Sequence, residues 1–211
     1  MSVCKTMDGG RTWGTRRNLG NEGTYWTSCR DIAVAPSNPS IVYAVGQVDD
    51  YVKIWRSDDA GNSWVDITGN LDSFHSRYDL VYAIWVEPDD PYALVVGTSK
   101  GVYKTRPPVG RDTTTRDWIR TPLRHSTRAF AYDQAKDILY AATEIEGVYY
   151  SEDRGTSWLE LNDGLDYLKT LCIGLDSEND ILYIGTDGGS VWRLDLGETS
   201  LSDVDLNIEL Y

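Results

Sequence analysis

KIWRSDDAGNSW, residues 53–64, is the stretch that decides the fold. Two other segments match it closely, SVCKTMDGGRTW at 2–13 and GVYYSEDRGTSW at 147–158. All three share the pattern S/T-x-D-x-G-x-S/T-W, which we call the box. The aspartates of the three boxes are 51 and 94 residues apart: Asp8, Asp59 and Asp153. This spacing indicates an internal repeat with a period of about 50 residues.

Two further copies keep only part of the pattern. The segment 101–118 keeps a strand and Trp118 but replaces the acidic turn with Pro107 and Pro108, and SVWRLDLGET at 190–199 loses the box. The last four copies each follow an apolar segment that ends in small residues: IVYAVG at 41–46, ALVVGT at 93–98, ILYAAT at 138–143 and ILYIGT at 181–186. Because another apolar segment precedes each of these, we expect four strands, A to D, in each repeat.

Short antiparallel strands in groups of four, repeated at this period, predict an all-β chain of β-propeller blades. The abundance of strand-favouring aromatics, eight Trp and fourteen Tyr, agrees with this. We expect a C–D hairpin of a truncated blade, a blade, a blade with a degenerate box, another blade, and a last blade with a C-terminal tail: 1–20, 21–70, 71–123, 124–164 and 165–211. The fourth strand of the last blade can come only from 201–210.

The box itself is interpreted as structural. Its aspartate can accept backbone N–H groups across the turn from strand C to strand D, its glycine can adopt a positive φ, and its hydroxyl can add a further bond. Its tryptophan can anchor strand D against the core. The residues in this role are Asp8, Gly10, Trp13, Ser57, Asp59, Gly61, Trp64, Ser151, Asp153, Gly155 and Trp158.

Charge and composition exclude several kinds of partner. A net charge of −13 would repel nucleic acid and anionic membranes. No segment is apolar enough over about 20 residues to span a bilayer, and the chain starts without a signal peptide. Three cysteines, Cys4, Cys29 and Cys172, are too few for a disulfide framework and lack metal-ligand spacing. We expect buried free thiols, with a Cys4–Cys29 bridge as the alternative.

With its box, the chain resembles the BNR or Asp-box repeats of sialidases, xyloglucanase-type glycoside hydrolases, sortilin-like propellers and photosystem II assembly factors. KIWRSDDAGNSWVDITGNL at 53–71, followed by LVVGT and GVY, is similar to secreted bacterial propellers. The resemblance implies an extracellular or periplasmic protein without a cofactor. Rings of this group have six to eight blades, so it also implies a C-terminal fragment of an incomplete ring, completed by the rest of the parent chain or another subunit. The alternative is a small ring in which the leading hairpin completes the last blade.

Ligands of propellers usually bind the loops that lead into the A strands or join B to C. The leading loops here are rich in aromatic and hydrogen-bonding side chains, which suit a sugar or a peptide. The candidate ligand-binding residues are Tyr25, Trp26, Arg30, His75, Arg77, Tyr78, His125, Arg128 and Tyr167. The alternative for each is an ordinary solvated loop residue.

Enzymatic function has weaker support from the sequence. A sialidase needs three converging arginines, but alignment of the repeats on their B strands puts Arg30 level with Thr127 and Thr170, one position before Arg128. A xyloglucanase-type hydrolase needs two carboxylates across a cleft, and the sequence singles out no pair and no catalytic residue. We therefore expect a noncatalytic propeller that binds a protein or glycan partner. The alternatives are a segment of a glycoside hydrolase and a structural repeat in a larger surface assembly.

Overall fold

The computed structural model describes residues 2–14, 17–19, 27–74, 76–105, 117–197 and 209–210. Within these ranges strands dominate, and the only helix is a short 3₁₀ turn at Gly69–Ser73. No helix in the described part of the chain is long and apolar enough to cross a bilayer. The chain divides into two compact units, Met1–Ser99 with Tyr103–Ile119, and Lys100–Val102 with Arg120–Tyr211.

Four antiparallel sheets contain four strands each, in which neighbours in sequence are neighbours in the sheet. The prediction of an all-β chain built from four-stranded units is confirmed. In chain order, as strands A to D, the sheets are β3 Thr27–Val34, β4 Val42–Val48, β5 Tyr51–Ser57 and β6 Val65–Asp66; β7 Val81–Val86, β8 Leu94–Thr98, β9 Gly101–Thr105 and β10 Trp118–Arg120; β11 Thr127–Asp133, β12 Ile138–Thr143, β13 Val148–Ser151 and β14 Leu159–Glu160; and β15 Thr170–Asp176, β16 Ile181–Thr186, β17 Val191–Asp195 and β18 Glu209–Leu210.

A separate two-stranded sheet precedes these four. Its strands are β1 Ser2–Val3 and β2 Arg17–Asn18, and they pair only with each other in the described part of the chain. The last sheet takes its fourth strand from its own tail, since Trp192 and Arg193 pair with Leu210 and Glu209. The alternative in which the leading hairpin supplies a strand to the last sheet is therefore not observed.

Burial on both faces explains why the B strands have apolar sequences without alternation. Every residue of β8 and β12 is buried, so both faces of these strands lie against other side chains. Tyr43 on β4 and Tyr140 on β12 are fully buried and occupy the same position in their sheets, opposite Ala33 and Ala131. Each lies in the core of its own unit.

The cysteines differ from expectation. Cys4, Cys29 and Cys172 are all free and exposed, so the prediction of buried thiols is wrong and the alternative bridge between Cys4 and Cys29 is not formed. The sulfhydryl of Cys29 donates to the backbone oxygen of Asp31 at 3.7 Å. Partial desolvation of the sulfur, together with the nearby Asp31 carboxylate, raises the pKa of this otherwise exposed thiol, which leaves it protonated at neutral pH.

Candidate functional site

The box between β5 and β6 is held by its aspartate. Asp59 accepts the backbone N–H and the hydroxyl of Ser63, at 2.8 and 2.6 Å, and the hydroxyl of Ser57 at 2.8 Å. The Ser57 hydroxyl accepts the N–H of Gly61 at 2.7 Å, and Gly61 has a φ of +88°, which favours glycine. The indole N–H of Trp64 donates to the Gly61 carbonyl at 3.1 Å. The turn is thus closed by its own side chains.

Asp8 and Asp153 accept the same amide and hydroxyl bonds in their boxes, whereas the indole N–H of Trp158 has no hydrogen-bond partner among the described residues. The hydroxyl and amide bonds from Thr12 to Asp8, and from Ser63 to Asp59, lower the pKa of each carboxyl to about 2. Partial burial would raise the pKa of Asp153, but its bonds to Ser157 outweigh this and lower it. These carboxylates are ionised and their oxygens are engaged locally.

The box tryptophans are less buried than the sequence suggests. Trp64 and Trp158 are half-buried, and Trp13 is largely exposed. The ring of Trp158 stacks on Phe130, with centroids 6.3 Å apart. Trp13 lines an open groove between the hairpin β1–β2 and the sheet β3–β6, so its indole is not buried against a core.

A β-bulge occurs at the same place in all four A strands. Pairing skips one residue in each, namely Arg30, Tyr82, Arg128 and Leu171. Arg30 and Arg128 are therefore equivalent, and the alignment that placed Arg30 level with Thr127 is wrong by one residue. The error arises because the connection between strands A and B is one residue longer in the first sheet: Ala33 pairs with Tyr43 ten residues later, whereas Ala131 pairs with Tyr140 nine residues later. Tyr82 and Leu171 interrupt the series, so no repeated arginine set results.

In the second unit, Arg128 forms an ion pair with Glu144. The other carboxylate oxygen of Glu144 accepts the Ser126 hydroxyl at 2.7 Å. Partial burial raises the pKa of Glu144, but the bonds from Ser126 and Arg128 and the charge of Lys169 outweigh it, so the net pKa lies below its usual value. Lys169 pairs in turn with Asp187. This part of the second unit thus carries fixed, alternating charges.

The loop before β7 presents an exposed aromatic ring. Tyr78 is 69% exposed. The guanidinium of Arg77 lies 4.8 Å from the centroid of its ring and donates to its hydroxyl at 2.7 Å. The backbone N–H of Tyr78 donates to the hydroxyl of Ser76, and the N–H of Asp79 to the Ser76 carbonyl. Arg77 and Tyr78 are therefore brought together, on a tight turn.

Tyr167 occupies the same position before β15. Both tyrosines precede the first residue of strand A by three positions, and these first residues, Val81 and Thr170, have equivalent partners in strand B. Tyr167 is 49% exposed, and one edge of its ring lies against the backbone of Gly189. Cys29 is the equivalent of Val81 in the first sheet. Trp26 precedes Cys29 by three positions but lies outside the described residues. Sequence reasoning chose these aromatics but missed that they share a position.

The other candidate residues have separate environments. Arg30 is exposed at the bulge of β3. The His125 ring stacks on Tyr149, with centroids 5.8 Å apart, so it packs against a strand. Tyr25 and His75 lie outside the described residues. No group of three or more metal-binding side chains is found in the described part of the chain.

No family model matches the chain. It is 25% identical over 165 residues to sortilin of Rattus norvegicus and, equally, of Mus musculus. The alignment covers 77% of this chain and 19% of sortilin, so the chain spans about a fifth of the length of these relatives.

Solved propeller structures are similar in fold. An ancestral GH74 enzyme has a TM-score of 0.61 at 20% identity, over 82% of this chain and 23% of that enzyme. A GH74 enzyme of Niastella koreensis has a TM-score of 0.57 at 17% identity, over 82% and 29%. Sqt1 of Chaetomium thermophilum has a TM-score of 0.54 at 16% identity, over 82% and 46%. With its four-stranded sheets and its likeness to these structures, the chain has a β-propeller fold, and its sequence is similar to sortilin.

Proposed function

We propose that the chain is a noncatalytic binding module that takes up a glycan or protein partner through the loops preceding its A strands, outside the cytoplasm. The observation that carries this is the recurrence of an exposed tyrosine, Tyr78 and Tyr167, at one position of the repeat. Burial of an exposed aromatic ring against a partner removes apolar surface from water, which favours binding. The face of the ring suits the C–H side of a sugar ring or a flat peptide group.

Fixed charges near these rings add directional contacts. Arg77 lies against Tyr78, and Lys169 with Asp187 follows Tyr167. Arg77 is exposed and the Lys169 and Asp187 side chains are about half exposed, so all three can reach a hydroxyl or carbonyl of the partner. A small number of placed polar groups beside aromatic surface is the usual composition of a binding site.

The carboxylates support binding over hydrolysis. A glycosidase needs one carboxyl group that stays protonated near neutral pH, which requires a raised pKa. Among the described residues, every carboxyl group with a clearly shifted pKa is shifted downward, including Glu144 in the second unit. Glu144 is therefore suited to hold Arg128 rather than to donate a proton.

A glycan array followed by titration of the best-bound glycan tests the proposal. Tyr78→Ala should weaken binding at the loop before β7, and Tyr167→Ala binding at the loop before β15, each roughly tenfold, the effect of about 1.4 kcal/mol. Leu159→Ala, which shortens an exposed side chain on β14, should leave binding unchanged.

Two other outcomes decide between the alternatives. Release of reducing sugar that disappears in Glu144→Gln would identify a hydrolase and refute a noncatalytic role. A purified protein ligand whose binding depends on the two tyrosines would place the partner among proteins. If the affinity for a glycan or a protein partner is unchanged in both Tyr78→Ala and Tyr167→Ala, binding through these loops is refuted.

A further inference from the structure

Two apolar side chains of β3 are exposed where their counterparts in β7 are buried. Ile32 and Val34 are 50% and 54% exposed. The equivalent residues of β7, Ile84 and Val86, are 6% and 4% exposed and belong to the core of the first unit. Ile84 and Val86 are buried because a complete sheet, β3–β6, precedes them in the same core. The matching face of β3 has no complete sheet before it.

Among the described residues, only the hairpin β1–β2 precedes β3. Its box, around Asp8, has the bonding of the boxes at Asp59 and Asp153, which join strands C and D. β1 and β2 therefore correspond to strands C and D. In the other sheets a B strand pairs with the far edge of C, whereas no described residue pairs with that edge of β1. An open strand edge is a template for another strand.

A groove of about 680 Å³ runs between the hairpin and the sheet β3–β6. Its walls are mostly apolar, and the residues that form them include Val3, Cys4, Trp13, Ile32, Val34 and Trp64. A contiguous apolar surface next to an open strand edge combines the two features that strand addition uses, backbone hydrogen bonds for affinity and side-chain pockets for specificity.

We propose that this groove binds an antiparallel pair of β-strands, one of which pairs with β1 while both cover Ile32 and Val34. The occupant thus corresponds to the A and B strands of the neighbouring sheets. A two-stranded sheet is marginally stable by itself, and two added strands would bring β1–β2 to the four-stranded form of the other sheets. This surface is distinct from the tyrosine-bearing loops, so the two proposals stand independently.

Cys4 is an exposed thiol in the wall of the groove and serves as the reporter. The protein carries Cys29→Ser and Cys172→Ser, so that Cys4 is its only thiol. The probe is a synthetic peptide with the sequence of residues 27–48, the A–B pair of the next sheet, made with Cys29→Ser. At ten times its Kd the peptide should slow alkylation of Cys4 by N-ethylmaleimide about tenfold.

A charge placed in the groove provides the specificity control. Ile32→Lys should weaken the peptide at least tenfold, because the ammonium group would be buried against apolar side chains. Leu159→Lys, an equally exposed apolar position in the other unit, should not change the affinity. Circular dichroism of both variants checks that the fold is kept.

A tethered version removes dependence on the affinity of the free peptide. The same 22-residue sequence, joined ahead of Met1 by a flexible Gly/Ser linker, reaches millimolar effective concentration. It should protect Cys4 and slow amide exchange at Val3. Unchanged alkylation with both the free and the tethered hairpin would overturn the proposal. Protection that rises with protein concentration without peptide would overturn it in favour of self-association.

Discussion

The hydroxyl of Ser57 donates a hydrogen bond to Asp59 at 2.8 Å while accepting one from the backbone N–H of Gly61. Ser151 and Asp153 repeat this relationship at the same 2.8 Å distance. The hydroxyl therefore links the carboxylate to the tightest part of the turn. Removal of the carboxylate breaks several bonds at once, which makes the boxes the natural place to test what holds the blades together.

Asp153→Ala should destabilise the protein by about 1–2 kcal/mol, because the carboxylate accepts two backbone N–H groups and two hydroxyls. The loss stays this small because water can bond to the Thr156 and Ser157 amides, which lie in an exposed turn. Urea unfolding measures the change. Asp163→Ala removes an exposed carboxylate outside the box and should cost less than about 0.5 kcal/mol; equal losses would contradict a structural role for the box.

The boxes should also make stability depend on pH in the acid range. The folded-state pKa of Asp59, about 2, lies below its ordinary value of 3.8. The stability that ionised Asp59 adds to the folded state is therefore fully present above about pH 4 and is lost as the pH falls towards 2. Urea midpoints between pH 5 and 2 should fall less steeply in Asp59→Asn than in the unmodified protein. An unchanged slope in Asp59→Asn would refute the prediction.

Much of the fold could be predicted from the sequence, because the repeated apolar segments mark where strands begin and end. The segments 138–143 and 181–186, chosen for apolar residues that end in small ones, coincide with β12 and β16. Strand A of the first sheet starts at Thr27, four residues before the apolar segment DIAVAP at 31–36, because polar residues continue its pairing with β4. Thr27 and Ser28 pair opposite Val48 and Gln47, and no hydrophobic pattern marks such residues as strand.

The candidate site was only partly readable. Aromatic content pointed to the leading loops, but the equivalence of Tyr78 and Tyr167 depends on where strand A begins, which pairing reveals. The equivalence of Arg30 and Arg128 was missed because the connection from β3 to β4 is one residue longer than that from β11 to β12, and only the strand pairing shows where the extra residue lies. Packing of His125 on Tyr149 is likewise a tertiary contact between residues 24 positions apart.

Gly147→Ala should cost about 2 kcal/mol. Gly147 has a φ of +74°, and an added Cβ would overlap the Asn162 side chain. That side chain cannot move freely, because it accepts the N–H of Val148 and donates to the Glu146 carbonyl. Gly174→Ala is the matched control, since no atom lies within 4 Å of its added Cβ, and it should change stability by less than about 0.5 kcal/mol. Thermal unfolding of both variants makes the comparison, and a tolerated Gly147→Ala would contradict it.

Tyr43 and Tyr140 should respond differently to loss of the same hydroxyl. Both are fully buried at equivalent positions, but Tyr43 donates to the Pro91 carbonyl at 2.7 Å, whereas the Tyr140 hydroxyl has no hydrogen-bond partner among the described residues. Burial, together with the negative charge of Asp133, raises the pKa of Tyr140, so the phenol stays neutral at working pH. Tyr43→Phe should therefore cost about 1–1.5 kcal/mol, and Tyr140→Phe between no change and a slight gain. Both variants keep the ring, so packing is matched and urea unfolding isolates the hydroxyl. Equal losses would show that the Tyr140 hydroxyl is bonded in solution as firmly as that of Tyr43.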